Sequence, residues 1–225
     1  MIRLHFVVEG QTEETFVNDV LTPVLSGLNI FPDVRCVQTG QKRGKRHKGG
    51  ITHYIKLKND LQRWLKQDEH TEARFTTMFD FYALPHDFPG YAESHKQTDL
   101  KARIEHLESC FQADIGDHRF IPYIQLHEFE ALLFTEPTKF AVAYPDRERE
   151  IQQLVAVRSR FTSPEDINEG QNTCPSKRIK TILPDYSKVS AGPRIAMKIG
   201  INKIRAENPR FNEWLKKLEQ LNRLE

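Results

Sequence analysis

The chain has 225 residues, of which 38% are hydrophobic and 28% are charged. This composition supplies a buried core and excludes the low-hydrophobicity signature of a disordered protein. The 33 Lys and Arg nearly balance the 31 Asp and Glu, so the net charge of +2 does not predict nucleic-acid binding, which only local clustering of cations could indicate.

The three cysteines, Cys36, Cys110 and Cys174, are widely spaced and form no Cys-x-x-Cys pair. This pattern disfavours both a disulfide framework and a structural zinc site, and it fits a reducing cytoplasm. The N-terminus offers no signal-peptide core, and no run approaches the roughly 18 apolar residues that a membrane span needs. We therefore expect a cytoplasmic protein without a membrane segment.

Short apolar runs at residues 4–8, 30–37, 75–81 and 120–126 predict four strands. Helical periodicity follows the first three runs, and strands that alternate with helices favour right-handed crossovers and a mostly parallel α/β sheet with helices on both faces. After residue 134 only helical patterns remain. We expect an α/β core at residues 1–134 and a C-terminal helical extension at residues 135–225, packed on the core.

Acidic residues follow three of the predicted strands, at the carboxyl ends where the sites of such sheets usually lie. Glu9 follows the first strand, Asp80 ends the third with Asp87 in the loop beyond it, and Glu128 and Glu130 follow the fourth. A purely structural role competes in each case, since a carboxylate can also cap a turn or a helix. Helix capping suffices for Glu13 and Glu14, but it does not account for Glu9 at the end of a buried strand.

If the first and third strands are neighbours, Glu9 and Asp80 face each other and repel unless a cation lies between them. Oxygen ligands alone favour Mg²⁺ or Mn²⁺ over zinc. Glu128 and Glu130 share a face only in an extended chain, so which of them points at the site is left open.

Two basic segments are candidates for contacts with phosphate. The first holds the only dense positive cluster, with glycines that allow close approach: Lys42, Arg43, Lys45, Arg46 and Lys48. In the second, Lys177 and Arg178 begin a helix, where free N–H groups attract anions. A solvated loop and an ordinary helix start are the alternatives.

Taken together, these motifs resemble the Toprim superfamily, which carries a Glu after strand one and an Asp-x-Asp after strand three. More closely, the strings at residues 8–13, 79–85, 127–134 and 175–178 resemble a bacterial Toprim-like family of unknown function, domain of unknown function 4276, over nearly the whole chain. The string His-Glu-Phe-Glu-Ala-Leu-Leu-Phe is specific, whereas Glu-Gly alone is weak.

The resemblance implies a small Toprim-like sheet and a site like that of the overcoming-lysogenization-defect nucleases, in which acids hold two divalent metals and a lysine assists. It implies roles for five residues of this chain, namely Glu9, Glu13, Asp80, Glu130 and Lys177. Tyr82 stands where the second Asp is expected, so either Asp87 substitutes for that acid or one metal position is weakened or lost.

We therefore expect a Mg²⁺- or Mn²⁺-dependent endonuclease acting on DNA or RNA, with one or two ions and with Glu9 as a ligand or general base. The alternative is a non-catalytic nucleic-acid-binding or regulatory subunit. The resemblance also implies an ATPase of the structural-maintenance (SMC/ABC) type, encoded nearby, as a partner in bacterial anti-phage defence. The oligomeric state is open, a homodimer included. The chain is short for a topoisomerase or primase, and it lacks the Gly-x-Gly-x-x-Gly of dinucleotide-binding enzymes.

Overall fold

The structure is a computed structural model that describes residues 1–42, 45–48, 51–167 and 173–223. Side chains are described for residues 1–37, 51–167 and 173–222.

A parallel sheet forms the centre of the molecule. The strands are β1 (Ile2–Val8), β2 (Ile30–Cys36), β3 (Gln38–Lys42), β4 (Lys45–Lys48), β5 (Ala73–Asp80), β6 (Phe120–Ile121) and β7 (Ile124–Gln125). The sheet has the order β2-β1-β5-β6, β7 also pairs with β5, and every one of these pairings is parallel. The predicted α/β class, with its small, mostly parallel sheet, is confirmed.

Helices connect the strands and make up most of the C-terminal part. They are α1 (Gln11–Phe16), α2 (Thr22–Ser26), α3 (Tyr54–Gln67), α4 (Tyr91–Ser94), α5 (Leu100–Ile115), α6 (Glu130–Leu133), α7 (Glu148–Arg158), α8 (Pro175–Ile182), α9 (Lys188–Ile199), α10 (Ile201–Glu207) and α11 (Pro209–Glu219). A π-helical turn, Val17–Leu21, joins α1 to α2. None of the helices among the described residues combines the length and apolar character needed to cross a bilayer.

Apolar side chains cover both faces of the sheet because residues alternate along each strand. Phe6 and Val8 of β1 belong to one core cluster, which also contains residues of α1, α9 and α11. Val7 belongs to the other, together with Phe75 and Phe79 of β5 and residues of α3 and α5. Each fully buried side chain of this size contributes roughly 1.5–3 kcal/mol. The two cores hold the central strands, and therefore the strand ends, in fixed positions.

The C-terminal helices share the first of these cores. Trp214 of α11 stacks on Tyr123 with 4.2 Å between ring centroids, and its Nε1–H donates to Thr76 Oγ1 of β5 at 3.0 Å. Aromatic stacking and a satisfied indole N–H both favour this docking. The C-terminal helices are thereby held against the sheet, while the domain division at residue 134 stays a prediction.

Two segments differ from the sequence-based expectation. Residues 120–126, predicted as one strand, form β6 and β7, and Pro122 lies between them, where it cannot donate to a ladder. The basic segment predicted as a loop contains β3 and β4, which pair as an antiparallel hairpin separate from the main sheet. The hairpin leaves the sheet directly after β2.

Candidate metal centre

The first two acidic residues lie at the same edge of the sheet. β1 and β5 are parallel neighbours, with Val8 opposite Met78, so Glu9 just after β1 and Asp80 at the end of β5 come together. Asp80 is buried and Glu9 is partly exposed. The neighbouring strands that the argument from sequence required are therefore present.

Helix α1 brings a third carboxylate to this edge. The turn at Gly10 starts the helix, and Glu13 reaches back so that its Oε2 accepts a hydrogen bond from the Gly10 N–H at 3.1 Å. Glu13 is only 2% exposed. The cap at the start of α1 uses Oε2 of this carboxylate, so Oε1 is left for a different contact.

The fourth carboxylate comes from the segment after β7. Asp80 Oδ1 accepts a hydrogen bond from the Phe129 N–H at 2.8 Å, which ties that segment to the end of β5. Glu130, the first residue of α6, follows immediately and is 2% exposed. The hydrogen bond of Asp80 thus places Glu130 beside the other acids.

A lysine from the C-terminal helices stands among these acids. The Nζ of Lys188, the first residue of α9, lies 2.8 Å from Asp80 Oδ2, 3.2 Å from Glu13 Oε1 and 3.6 Å from Glu130 Oε2. Gly192, one turn further along α9, permits the approach, because a Cβ there would lie 3.0 Å from the Phe129 ring. The four carboxylates and this ammonium form what we call the acidic cluster: Glu9, Glu13, Asp80, Glu130 and Lys188.

Burial and mutual repulsion control the protonation of the cluster. Loss of water raises the pKa of Glu9 to about 8, and repulsion by Asp80 adds to this effect. Burial likewise raises the pKa of Glu130 to about 7 and raises that of Glu13, in both cases against the opposing attraction of Lys188. The carboxylates hold the pKa of Lys188 well above its ordinary value although burial lowers it. One ammonium therefore does not compensate four acids.

The donor atoms of the cluster fit a hard divalent cation. Three carboxylate oxygens, Glu9 Oε2, Glu13 Oε1 and Glu130 Oε2, are buried and have no hydrogen-bond donor within the described part of the chain, although the last two lie near the Lys188 ammonium. Carboxylate oxygens are the ligands that Mg²⁺ and Mn²⁺ prefer. Within the described ranges no three acids, histidines or cysteines already stand close enough to hold an ion. The oxygens surround an ammonium instead, at distances longer than metal–oxygen bonds.

Two further predicted ligands engage helix starts rather than Lys188. Glu128 Oε2 accepts from the Ser176 N–H at 2.9 Å, and its Oε1 accepts from the Ser176 hydroxyl at 3.0 Å, at the beginning of α8. Both oxygens of Asp87 accept from the Tyr54 N–H, at 3.0 and 3.2 Å, at the beginning of α3. Of the pair left open by the sequence, Glu130 is the one that points into the cluster.

The predicted phosphate contacts are only partly described. Lys177 is exposed on α8, whose first turn is capped by Glu128, and Arg178 packs over the Phe161 ring. The ammonium that lies among the acids is that of Lys188, and the role predicted for Lys177 stays a prediction. The backbone of Lys42, Lys45, Arg46 and Lys48 lies in β3 and β4, but their side chains, and all of Arg43, are outside the described residues.

Tyr82, at the position of the expected second Asp, pairs with His127. The Tyr82 hydroxyl lies 3.1 Å from His127 Nδ1, and His127 Nε2 lies 2.9 Å from the Glu165 carbonyl oxygen. Since a carbonyl only accepts, Nε2 carries the proton and Nδ1 accepts from the tyrosine. Burial lowers the pKa of His127 to about 4, which keeps the ring neutral. His127 has φ = 64°, a strained conformation that this pairing helps to hold.

Comparison with known proteins decides the family. The family described as "Domain of unknown function (DUF4276)" matches residues 8–219. The chain belongs to this family. No curated protein matches the sequence of this DUF4276 protein.

Two solved structures are similar to this chain. Both are of the C-terminal region of the Xanthomonas campestris pv. campestris OLD protein. The one phased with platinum has a TM-score of 0.48 and 13% identity, covering 99% of this chain and 95% of that one. The one phased with iodine has a TM-score of 0.44 and 12% identity, covering 100% and 97%. At this level of similarity neither structure informs on activity or on any residue.

Neither Lys188 nor the role of His127 was predicted from the sequence. Lys188 lies far along the chain from the acids, in a polar segment without a motif. His127 stood within the specific His-Glu-Phe-Glu string, but nothing in that string indicated a partner for its ring.

Proposed function

We propose that this DUF4276 protein is a Mg²⁺- or Mn²⁺-dependent phosphodiesterase that cleaves nucleic acid. One observation carries the proposal: four carboxylates from separate segments converge at the carboxyl edge of a parallel sheet, and among the described residues three of their buried oxygens have no hydrogen-bond donor other than the nearby Lys188 ammonium. A fold that needed these acids only for stability would leave fewer of them uncompensated, because each buried charge without a partner is costly. Their clustering therefore favours a site that binds a cation.

The residues of the cluster have distinct tasks in this proposal. Glu13, Asp80 and Glu130, all buried, would hold the metal, which when bound activates water and neutralises a phosphate. Glu9, the most exposed of the four, keeps its proton near neutral pH while its pKa is about 8, and it would take a proton from that water once the bound ion lowers its pKa. Lys188, with 30% of its side chain exposed, would contact a phosphate oxygen as negative charge develops there.

The position of the β3–β4 hairpin supports nucleic acid as the substrate. Cys36 at the end of β2 pairs with Val8, and the Val37 N–H donates to the Val8 carbonyl at 2.9 Å. The hairpin, whose sequence carries the dense basic cluster, therefore begins beside Glu9. The cations in the sequence of this hairpin would bind the phosphates that flank the bond to be cleaved.

The direct test is cleavage of single- and double-stranded DNA and RNA with Mn²⁺ or Mg²⁺. We expect Glu13→Gln to lower the cleavage rate at least 100-fold, since it replaces a buried carboxylate that would bind the metal with a neutral amide of the same size. Glu14→Gln is the matched control in the same helix, because Glu14 instead accepts from the Cys36 thiol at 3.3 Å. Equal cutting by the wild type and Glu13→Gln would reject the assignment.

A second candidate is a non-catalytic nucleic-acid-binding or regulatory subunit of an ATPase complex. Two observations favour it: Lys188 already offsets part of the charge, and Tyr82 replaces an acid. In this case calorimetric titration with Mn²⁺ would show no binding at millimolar metal, while a gel-shift assay would still show binding of nucleic acid. A role in anti-phage defence and a pairing with an ATPase likewise remain proposals.

A further inference from the structure

Three side chains that could serve a second metal ion are engaged elsewhere. The Tyr82 hydroxyl donates to His127, Asp87 accepts the first N–H of α3, and Glu128 accepts both the N–H and the hydroxyl of Ser176. To ligate a metal, each would have to give up contacts that hold a turn or a helix start. Outside the acidic cluster, the described residues near Asp80 thus offer no spare carboxylate for a second ion.

Three carboxylates of the acidic cluster converge on one point. Asp80 Oδ2, Glu13 Oε1 and Glu130 Oε2 come from a strand and two helices, and all three lie within 3.6 Å of Lys188 Nζ. Glu13 and Glu130 are residues that are 98% buried, and their Oε1 and Oε2 oxygens, respectively, are paired with the Lys188 ammonium without a hydrogen bond from any other described residue. Such oxygens, aimed at a shared centre, are suited to a cation with a higher charge than an ammonium.

We propose that the cluster takes one divalent cation of the Mg²⁺ or Mn²⁺ class, in the place now held by the Lys188 ammonium. This inference rests on the proposed function and specifies its metal site. Metal–oxygen bonds are about 2.0–2.2 Å long, whereas the ammonium lies 2.8–3.6 Å from the three oxygens, so the ion and the ammonium cannot share the centre. The side chain of Lys188 is 30% exposed and long enough to swing outward. Lys188 is thus an internal cation that keeps the metal-free protein folded.

The test is calorimetric titration of the full chain with Mn²⁺. We expect one ion per chain for the wild type, and at least 10-fold tighter binding by Lys188→Met, because the competing ammonium is gone. Lys177→Met, which removes an exposed lysine of α8, should bind like the wild type. Two ions per chain, or unchanged or weaker binding by Lys188→Met, overturns the inference.

A measurement on the wild type covers the case in which Lys188→Met does not fold. Brief acetylation followed by mass spectrometry reports how accessible each lysine amine is. Mg²⁺ should raise the acetylation of Lys188 several-fold and leave that of Lys177 unchanged. No rise at Lys188, under conditions where calorimetry shows the ion bound, contradicts displacement.

These results also separate the inference from the proposed function. One bound ion without cleavage of any nucleic acid removes the function and keeps the inference. Metal-dependent cleavage with two bound ions keeps the function and overturns the inference. Binding of Mn²⁺ by Lys188→Met alone, or by neither protein, overturns both, because the wild type then does not exchange its ammonium for the ion.

Discussion

The unusual protonation of Glu9 predicts that the metal-free protein becomes less stable as the pH rises. The pKa of Glu9 is raised from 4.5 to about 8, so between these values the folded chain keeps a proton that the unfolded chain has released. For a carboxyl group with a raised pKa in the folded state, stability is full at low pH and is lost as the pH approaches that folded-state pKa. Each such group lowers the free energy of unfolding by about 1.4 kcal/mol per pH unit.

The other groups with shifted pKa values determine the pH range in which the effect of Glu9 can be measured. His127 has its pKa lowered from 6.5 to about 4, so the unfolded chain binds more protons there and stability rises with pH up to about 6.5. The pKa of Glu130 is raised to about 7, so this group also makes the protein less stable as the pH rises, but it is mostly ionised above that pH. Between pH 6.5 and 8 Glu9 dominates the three, and its contribution is a loss on the order of 2 kcal/mol.

The assay is urea unfolding in the presence of a chelator at several pH values across this window. Glu9→Gln cannot ionise, so we expect its free energy of unfolding to lack this loss and to exceed that of the wild type at pH 8. Glu14→Gln should follow the wild type. The reasoning is refuted if the wild type and Glu9→Gln show the same dependence on pH.

The same unfolding experiment can be repeated with Mg²⁺ in place of the chelator. A bound divalent cation favours the ionised carboxylate, so millimolar Mg²⁺ should lower the pKa of Glu9 and remove most of the loss between pH 6.5 and 8. If Glu9→Gln behaves as expected but Mg²⁺ has no effect on the wild type, the electrostatic argument stands and the metal assignment fails.

Three further substitutions test how the site is held. Tyr82→Phe removes the hydrogen bond to His127 and should cost about 1 kcal/mol in urea unfolding; an unchanged midpoint would contradict the pairing. Gly192→Ala should destabilise by roughly 1–3 kcal/mol, because the new Cβ would lie 3.0 Å from an aromatic ring. Gly27→Ala, with only ordinary contacts, is the control and should be near neutral in thermal unfolding. Glu128→Gln should cost about 1 kcal/mol by weakening the start of α8, while Mn²⁺ affinity measured by calorimetry stays within a few-fold of the wild type.

Local patterns in the sequence were sufficient to predict the fold class. Within residues 4–8, Leu4, Phe6 and Val8 lie on one side of the strand and Val7 on the other. Apolar residues on both sides are typical of a parallel strand buried on both faces, and β1 lies at the centre of the sheet between β2 and β5. The fourth strand was predicted as one run because apolar residues continue through Pro122, whereas a proline cannot take part in a continuous ladder. The basic segment reads as a loop since it lacks apolar alternation, and its hairpin pairing depends on backbone hydrogen bonds that no side-chain pattern records.

Only the part of the candidate site that lies at the ends of strands could be predicted from the sequence. Glu9 and Asp80 follow from the rule that parallel strands bring their carboxyl ends to one edge, and that rule needs nothing beyond strand positions. Lys188 could not follow from it, because its position depends on where α9 packs and on the close approach that Gly192 permits. An ion pair over 108 residues of sequence separation leaves no periodic signal. Yet the chemistry of the acids implied such a partner, since buried carboxylates need a cation whether it is a metal or an amine. The sequence therefore predicted the charge that the site requires, and the packing of the C-terminal helices determined which group supplies it.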